Sequence, residues 1–322
     1  MYNSEFDVIK KYFSFSSSDG SVILAGGDDC AAVSVPVDRK LLVTTDTLIS
    51  GVHFPDNSLA ENVAYKALMV NLSDLAAMGA TPSWITLAIT MPGIDECWLS
   101  SFSEQLSKLL SDYKVSLIGG DTTKGPLSIT IQAMGLCDEE RMMRRDQAKQ
   151  GDKVFVTGYL GDAAIGLCAL LDDLNDDKLS ACVDRLNRPE AHIEFAKELS
   201  EYSRCAIDIS DGLAADLGHI ATASDCGVRV SLTEVPLSPS ARYYFKHYHN
   251  DVIDWSMVLA RGDDYELCFT LNNEHVQAVK KISDKWNVSI SCIGEVTESN
   301  GLIFYSADNE LFNFSDSGFK HF

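Results

Sequence analysis

Residues 40–78 read KLLVTTDTLISGVHFPDNSLAENVAYKALMVNLSDLAAM and contain the strand and the helix that decide the fold of the first half of the chain. Apolar and β-branched residues from Lys40 to Thr45 predict a strand that ends at Asp46. Farther along, apolar residues recur every three or four positions, and this spacing predicts a helix over residues 59–78. A strand that leads into an amphipathic helix is therefore the first structural unit that the sequence predicts.

The carboxylate of Asp74 falls on the apolar face of the predicted helix. The same face carries Val63, Ala67 and Val70. A carboxylate among apolar side chains is costly unless it is protonated, paired with a cation or bound to a metal. We therefore predict that Asp74 binds a metal or another cation.

The arrangement of strands and helices along the chain predicts the fold class. Two β-rich runs, 31–37 and 40–45, flank Asp38 and predict a hairpin, which favours mixed rather than purely parallel sheets. The further predicted strands are 83–90, 115–118, 127–136, 153–158, 205–210, 228–232, 265–270, 288–293 and 302–305, and the further predicted helices are 96–113, 162–171, 189–201 and 212–224. This alternation is typical of an α/β (α+β) protein.

A polar segment at residues 138–152 predicts a boundary between two domains. We expect an N-terminal domain over residues 1–140, built on a mixed sheet, and a C-terminal α+β domain over residues 141–322. The chain has 322 residues, of which 46% are hydrophobic, and this is enough to form two domains with their own cores.

Charge and cysteine content exclude several classes of function. The formal net charge of −21 argues against a nucleic-acid partner and against an anionic membrane surface. The nine cysteines occur singly, without a CxxC pair, and are expected to be reduced core residues. The N-terminus lacks a secretory signal and no run is long enough to span a bilayer, so the sequence predicts a cytoplasmic protein.

Five aspartates stand where an apolar run meets glycine, serine or threonine, and together they suggest a site for several Mg²⁺ ions. They are Asp28, Asp46, Asp74, Asp121 and Asp208. Mg²⁺ is held by a few carboxylates together with substrate phosphates. Taken singly, two of them have simpler explanations: Asp28 could form an Asx turn and Asp121 could follow a Gly-Gly turn. Beside Asp208, Ser210 or Asp211 could cap the helix that follows.

Two further residues are candidates for substrate contact. Arg145, beside Arg144, belongs to the densest basic spot in the chain, and a guanidinium suits phosphate oxygens, although a solvated link between domains has the same composition. His53 follows Asp46 in a Gly-Val-His-Phe loop and could contact a substrate or serve the structure alone. The glycines of TGYLGDAAIG at 157–166 lack the Walker lysine, so this is not a phosphate-binding P-loop.

Six long motifs resemble the thiamine-monophosphate kinase family. In chain order they are GGDDCA, TTDTLISGVHF, AYKALMVNLSDLAAMGATP, LIGGDTTKGPLSIT, AIDISDGLAADLGHI and GDDYELCFT. The resemblance implies transfer of the ATP γ-phosphoryl group to thiamine monophosphate, with Mg²⁺ and usually a monovalent cation, for which K⁺ is a candidate. It further implies the architecture of aminoimidazole ribonucleotide synthetase and selenophosphate synthetase, in which N-terminal domains pair in a homodimer.

The resemblance also implies roles for individual residues. The metal cluster comprises Asp28, Thr44, Thr45, Asp46, Asp74, Asp121, Asp208 and Asp211, and the predicted catalytic residues among them are Asp46, Asp74, Asp121 and Asp208. Nucleotide-binding positions match Gly120, Asp121, Arg145 and Ser210. Thiamine phosphate contacts match His53, Asp263 and Phe319. Family members often have Glu in place of Asp263 and Tyr or Trp in place of Phe319.

Two alternatives to this kinase remain at the level of sequence. One is another ATP-using synthetase of the same superfamily, and the other is a non-enzymatic cation-binding protein. For the kinase, we expect direct in-line transfer, because the acceptor phosphate is already ionised near neutral pH and needs positioning and charge stabilisation more than a general base.

Overall fold

Two compact units make up the structure, a computed structural model that describes residues 5–15, 20–299, 301–312 and 318. One unit comprises residues 1–75 and 80–140, and the other comprises residues 76–79 and 141–322. Both units combine helices with mixed sheets, which confirms the predicted fold class. Among the helices of these described ranges, none is long and apolar enough to cross a membrane.

The N-terminal unit is built on a four-stranded mixed sheet. Its elements are α1 (Glu5–Tyr12), β1 (Val22–Leu24), β2 (Ala32–Val33), β3 (Lys40–Ile49), α2 (Ala60–Ala77), β4 (Thr81–Met91), α3 (Glu96–Tyr113), β5 (Ser116–Lys124) and β6 (Ser128–Cys137). The strand order is β3-β6-β4-β5, with β4 parallel to β5 and the other neighbours antiparallel. Strand β3 is therefore an edge strand within this sheet.

The predicted hairpin around Asp38 is wrong. Strand β2 pairs with β1 in a separate two-stranded ribbon, whereas β3 pairs along its whole length with β6. The pairing of β3 with β6 closes the long segment between Ile49 and Ser128, and a pairing so distant in sequence leaves no local signal. The predicted strand end at Asp46 is also wrong, because β3 continues to Ile49.

Helix α2 packs on one face of this sheet, which we call the inner face. Its apolar residues are almost completely buried, among them Leu68, Met69, Leu72 and Leu75. A Cβ atom built at Gly135 on β6 would lie 3.2 Å from Leu75 Cδ1, so a small residue in β6 permits the close approach of the helix. The opposite, outer face carries a smaller cluster of Trp84, Ile118 and Met134, against which the β1–β2 ribbon packs.

The C-terminal unit contains a seven-stranded sheet in the order β13-β12-β9-β11-β7-β10-β8. Its elements are β7 (Lys153–Thr157), α4 (Asp162–Leu171), α5 (Ser180–Asn187), α6 (Ile193–Leu199), β8 (Cys205–Asp208), α7 (Leu213–Ala223), β9 (Gly227–Ser231), α8 (Pro239–Tyr248), α9 (Trp255–Ala260), β10 (Leu267–Leu271), α10 (Val276–Trp286), β11 (Ile290–Thr297), β12 (Gly301–Tyr305) and β13 (Leu311–Phe312). Among the described strands of this sheet, β9 and β12 are the only neighbours that run parallel to each other. Strands β7 and β10 and the edge strand β8 are almost fully buried and hold the ends of the loops described below.

Candidate active site

Strand β3 and helix α2 bring three of the predicted metal ligands together. Residues of β3 alternate in burial, and Thr44 and Asp46 belong to the less exposed set that faces α2. The Thr44 hydroxyl donates a short hydrogen bond to Asp74 Oδ2. The Asp46 backbone N–H donates to Asn71 Oδ1 at 3.2 Å. The inner face therefore presents two carboxylates and a hydroxyl at one point of contact between strand and helix.

Asn71 is a residue of this site that the sequence reasoning missed. Its side chain is fully buried, with 0% exposure, and its amide nitrogen donates to the Ala67 carbonyl at 3.0 Å. Both ends of the amide are thus used, one within α2 and one on β3. A buried asparagine beside Asp74 in the motif NLSD was the available signal, since buried polar groups are nearly always hydrogen-bonded.

Thr45 and Asp121 lie on the outer face of the sheet. The register pairs Asp46 with Ile131, Ile131 with Leu87, and Leu87 with Gly120. Directly opposed residues share a face, and successive residues in a strand alternate between faces. Thr45 precedes Asp46 and Asp121 follows Gly120. Their side chains therefore lie on the outer face, where both residues are exposed.

The predicted turn at residues 119–121 is instead part of a strand. Strand β5 continues through Gly119, Gly120 and Asp121 in parallel register with β4. A Cβ atom at Gly120 would lie 1.9 Å from the Leu87 carbonyl oxygen, so only glycine fits there. The Asp121 carboxylate accepts the Thr122 N–H at 2.8 Å. The glycine thus serves close strand packing rather than a turn.

Asp28 lies in an exposed loop between β1 and β2. Its Oδ1 accepts the N–H of Asp29 at 2.9 Å, a local contact of side chain with backbone. Across residues 5–15, 20–299, 301–312 and 318, no three or more His, Cys, Asp or Glu side chains form a group that could hold a metal ion.

In the C-terminal unit, Asp208, Ser210 and Asp211 lie at the junction between β8 and α7. Asp208 ends the strand and is 2% exposed, whereas Ser210 and Asp211 are half-buried. The N-cap of α7 is Gly212, with no side-chain cap. Neither Ser210 nor Asp211 therefore occupies the capping position that their sequence context allowed.

Asp216 organises this junction and was also missed. Its buried carboxylate accepts the Asp211 N–H at 3.0 Å from within the first turns of α7. Burial raises the pKa of Asp216 to about 7, while the hydrogen bond from the Asp211 N–H acts in the opposite direction. Aspartate five residues after a predicted ligand gave no distinctive signal in the sequence.

The loop at 262–266 lies beside Ser210. The Asp263 N–H donates to the Ser210 carbonyl at 2.9 Å, and the Tyr265 N–H donates to the Ile209 carbonyl at 2.8 Å. Gly262 has a φ of +70°, and a Cβ atom there would lie 2.1 Å from the Ser210 carbonyl oxygen. The structure thus brings a predicted nucleotide-binding residue and a predicted substrate-binding residue together.

Two buried acidic residues, Asp264 and Glu266, hold the 262–266 loop in place. The Asp264 carboxylate accepts the Gly161 N–H at 3.0 Å, and burial raises the pKa of Asp264 well above its ordinary value. The Glu266 carboxylate accepts the Thr157 hydroxyl at 2.5 Å, contacts His192 Nε2 at 2.7 Å and forms a short ion pair with Arg185. Thr157 and Gly161 of TGYLGD therefore anchor the 262–266 loop.

The opposing influences on Glu266 have a clear net result. Burial alone would raise the pKa of Glu266, but the electrostatic interaction and hydrogen bond with His192 and the charge of Arg185 lower that pKa below its ordinary value. Glu266 is consequently a carboxylate at neutral pH, held by the Arg185 guanidinium and by the contact with His192 Nε2.

Arg145 lies near the junction of Asp208, Ser210 and Asp211: burial raises the pKa of Asp216 to about 7, and the positive charge of Arg145 acts in the opposite direction. Arg145 has an exposed side chain, and its backbone carbonyl accepts the Ser224 hydroxyl at 2.8 Å. Arg144 forms an ion pair with Asp146 at 2.5 Å, which leaves the predicted basic spot partly neutralised. Phe319 lies outside the described residues.

Comparison with known proteins defines the class to which this arrangement belongs. Two family models match the chain: AIR synthase related protein, N-terminal domain, over residues 27–137, and AIR synthase related protein, C-terminal domain, over residues 149–306. Together they cover both units and include every described candidate residue except Arg145.

Full-length relatives narrow this class. The thiamine-monophosphate kinase of Haemophilus influenzae is 43% identical over 331 residues, covering 100% of this chain and 99% of the relative. The crystal structure of thiamine-monophosphate kinase from Stenotrophomonas maltophilia matches with a TM-score of 0.84 and 36% identity, covering 91% of this chain and 93% of that one. AaThiL complexed with AMPPCP and TMP matches with a TM-score of 0.80 and 31% identity, covering 99% and 96%. The chain belongs to the thiamine-monophosphate kinase family.

Proposed function

We propose that this protein transfers the γ-phosphoryl group of ATP to the phosphate of thiamine monophosphate, giving ADP and thiamine diphosphate. The observation that carries the proposal is the likeness over 99% of the chain to AaThiL complexed with AMPPCP, an ATP analogue, and TMP. The six motifs of the sequence contribute the residues of both clusters described above, which supports a site of the same kind.

The oxygen donors of the N-terminal unit fit Mg²⁺. Thr44, Asp46 and Asp74 offer a hydroxyl and carboxylates, which a hard cation prefers, and Mg²⁺ in phosphoryl-transfer sites is bound by one or two carboxylates plus substrate phosphates. We assign these residues, with Asp28, Thr45, Asp121, Asp208 and Asp211, to Mg²⁺ binding. When bound, Mg²⁺ neutralises phosphate charge that would otherwise repel the acceptor.

In this proposal the reaction is a direct in-line displacement. A phosphate oxygen of thiamine monophosphate forms a bond to the γ-phosphorus while the bond from that phosphorus to the bridging oxygen of ADP breaks. The acceptor is already anionic, so the residues of the chain act by holding both phosphates in line rather than by removing a proton. Gly120, Asp121, Arg145 and Ser210 would bind the nucleotide, and His53, Asp263 and Phe319 would bind thiamine monophosphate.

A homodimer that forms through the outer face of the N-terminal sheet also belongs to the proposal. Strand β3 exposes Val43 by 53%, and Leu41 and Ile49 are exposed on the same face. Exposed apolar side chains on an edge strand favour association with another chain, and a second copy would cover them. Thr45 and Asp121 lie on this face, so pairing would bring the partner close to predicted ligands. A cytoplasmic location and a requirement for K⁺ stay predictions.

A panel of acceptors tests the proposed function. Purified protein with ATP and Mg²⁺ is offered thiamine monophosphate, thiamine or an aminoimidazole precursor, and ADP is measured for each. We expect ADP only with thiamine monophosphate. Turnover with the aminoimidazole precursor alone would select the synthetase alternative, and absence of turnover with all three would contradict the proposal.

A further inference from the structure

Lys66 is a buried cation on α2 that the proposed reaction does not use. Its side chain is 3% exposed, and Nζ donates to the backbone carbonyl of His53 at 3.2 Å. Lysine is seldom buried without a specific partner, because removing the ammonium from water is costly. The contact joins the middle of α2 to the loop that follows β3.

The His53 ring is held by a second contact on the same loop. The Ile49 backbone N–H donates to His53 Nδ1 at 3.0 Å. A backbone N–H can only donate, so Nδ1 must offer its lone pair, and Nε2 carries the proton of the neutral ring. This hydrogen bond therefore selects one tautomer and one ring orientation.

The loop itself is a tight turn with internal hydrogen bonds. The His53 N–H donates to the Ile49 carbonyl at 2.9 Å, the Gly51 N–H donates to the Phe54 carbonyl at 2.9 Å, and Gly51 has a φ of +76°. These bonds define the shape of the turn, whereas the ammonium of Lys66 links it to the helix. Rotation of the turn relative to α2 would break that link.

Three contacts from a single helix thus fix the segment from β3 to this turn. The Asp74 carboxylate accepts a hydrogen bond from the Thr44 hydroxyl, and the Asn71 side chain accepts one from the Asp46 N–H. Lys66 donates a hydrogen bond to the His53 carbonyl. The first two place predicted metal ligands. In the same way, the hydrogen bond from Lys66 places His53, which follows Asp46 in this segment and is predicted to contact the substrate.

We propose that Lys66 is a positioning residue for thiamine monophosphate: it holds the His53 turn on α2 so that His53, with its proton on Nε2, donates to the substrate phosphate. This inference rests on the proposed function. The proposal concerns how thiamine monophosphate is held and leaves the ATP contacts unchanged. Loss of Lys66 should therefore change the kinetic constants for thiamine monophosphate and not those for ATP.

The kinetic test compares Lys66→Met, Lys66→Arg and a control, Lys108→Met. Lys108 is an exposed lysine on α3 of the same unit, paired with Asp112. We expect kcat/KM for thiamine monophosphate to fall about tenfold or more in Lys66→Met, as for loss of a hydrogen bond to a charged group, with KM for ATP within about twofold of wild type. Lys66→Arg keeps a donor and should recover part of the loss, and Lys108→Met should match wild type. Equal losses for both substrates, or none in folded Lys66→Met, would overturn the proposal.

A measurement that is independent of turnover uses ¹⁵N NMR of protein labelled at histidine, with His53→Gln to assign the signal. Wild type should show a protonated Nε2 and an unprotonated Nδ1 at His53. Lys66→Met should keep this tautomer, because the Ile49 N–H sets it within the turn, but the His53 signals should shift or broaden, because the turn is no longer held on α2. A proton on Nδ1 in wild type, or unchanged His53 signals in Lys66→Met, would contradict the role of Lys66. If Lys66→Met does not fold, the wild-type and Lys66→Arg spectra decide. If wild type does not phosphorylate thiamine monophosphate, the proposed function fails while the spectra still test the link from Lys66 to His53.

Discussion

The side-chain oxygen of Asn71 on α2 accepts the backbone N–H of Asp46 on β3 at 3.2 Å. Because Asn71 is fully buried and also donates to the Ala67 carbonyl, its amide cannot turn without losing a bond at one end or the other. The contact therefore fixes the rotation of the helix relative to the strand. The carboxylates of Asp46 and Asp74 depend on that rotation for their relative position.

Replacing Asn71 with leucine, which has a similar volume, should lower the free energy of unfolding by about 1–3 kcal/mol, because the Asp46 N–H is left without this acceptor. We also expect kcat to fall, since Asp46 is no longer held. Urea unfolding and steady-state kinetics measure the two effects. Asn57→Leu, in the exposed loop before α2, is the control and should change stability by less than about 0.5 kcal/mol. Wild-type stability in Asn71→Leu would show that the amide contact contributes nothing.

Two adjacent glycines in β5 should respond very differently to the same substitution. A Cβ atom at Gly120 would lie 1.9 Å from the Leu87 carbonyl oxygen, whereas one at Gly119 meets nothing within 4 Å. Gly120→Ala must displace the backbone of β4 or β5, and we expect a loss of about 3 kcal/mol or more. Gly119→Ala should stay within about 1 kcal/mol of wild type. Thermal unfolding of both variants decides, and similar melting temperatures would contradict the parallel packing of β5 on β4.

Removing the charge of Glu266 should destabilise the C-terminal unit in a pH-dependent manner. Glu266→Gln leaves Arg185 and His192 without their shared carboxylate, and breaking such a buried pair costs about 3–5 kcal/mol. The folded-state pKa of Glu266 is lowered from its ordinary value of 4.5, so its ion pairs stabilise the fold above that pH. Their contribution is lost as the pH falls through the folded-state pKa.

The difference in unfolding free energy between wild type and Glu266→Gln should therefore be largest near pH 7 and shrink below pH 4.5. Urea unfolding at several pH values measures this difference. Glu190→Gln is a matched control, because Glu190 also pairs with Arg185, at 3.4 Å, but is 63% exposed. We expect it to change stability by less than about 1 kcal/mol. A difference for Glu266→Gln that is constant from pH 7 to pH 3 would refute the ionic role.

A charge on the outer face of the N-terminal sheet should prevent the proposed dimer. Val43→Glu places a carboxylate in the exposed apolar row of β3, where a second copy would have to bury it without a partner. In sedimentation velocity we expect Val43→Glu to sediment as a monomer and wild type to sediment as a dimer. Leu171→Glu, at an exposed apolar position on α4 in the other unit, should leave the wild-type behaviour unchanged. A dimeric Val43→Glu would exclude this face as the interface.

Helices were predicted most accurately from the sequence. The helices at 96–113 and 162–171 have the predicted bounds, because an amphipathic period and a polar first turn are local properties of the chain. The strand pairing predicted at the hairpin around Asp38 was wrong, since β3 pairs with β6 far along the chain. Gly119 and Gly120 were taken for a turn because glycine marks turns, whereas here the absence of a Cβ serves the contact with Leu87. Helices α1, α5, α8, α9 and α10 were not predicted at all, and the helix predicted over 189–201 is limited to Ile193–Leu199.

In the candidate site, too, some residues could be identified from the sequence and others could not. The acidic motifs and their resemblance to a kinase family identified the residues that would bind ions and phosphates. The residues that hold them, Asn71, Lys66, Asp216 and Glu266, are single polar side chains inside apolar stretches. Their importance depends on burial and on partners that are distant in sequence, such as Thr157 for Glu266, and neither property can be read from one sequence.

Phosphorus NMR of the purified protein with ATP, Mg²⁺ and thiamine monophosphate tests the central claim most directly, with Asp46→Asn as the comparison protein. We expect ADP and thiamine diphosphate to appear in equal amounts with wild type, and neither to form at a comparable rate with folded Asp46→Asn. ADP together with inorganic phosphate, and no thiamine diphosphate, would contradict the account.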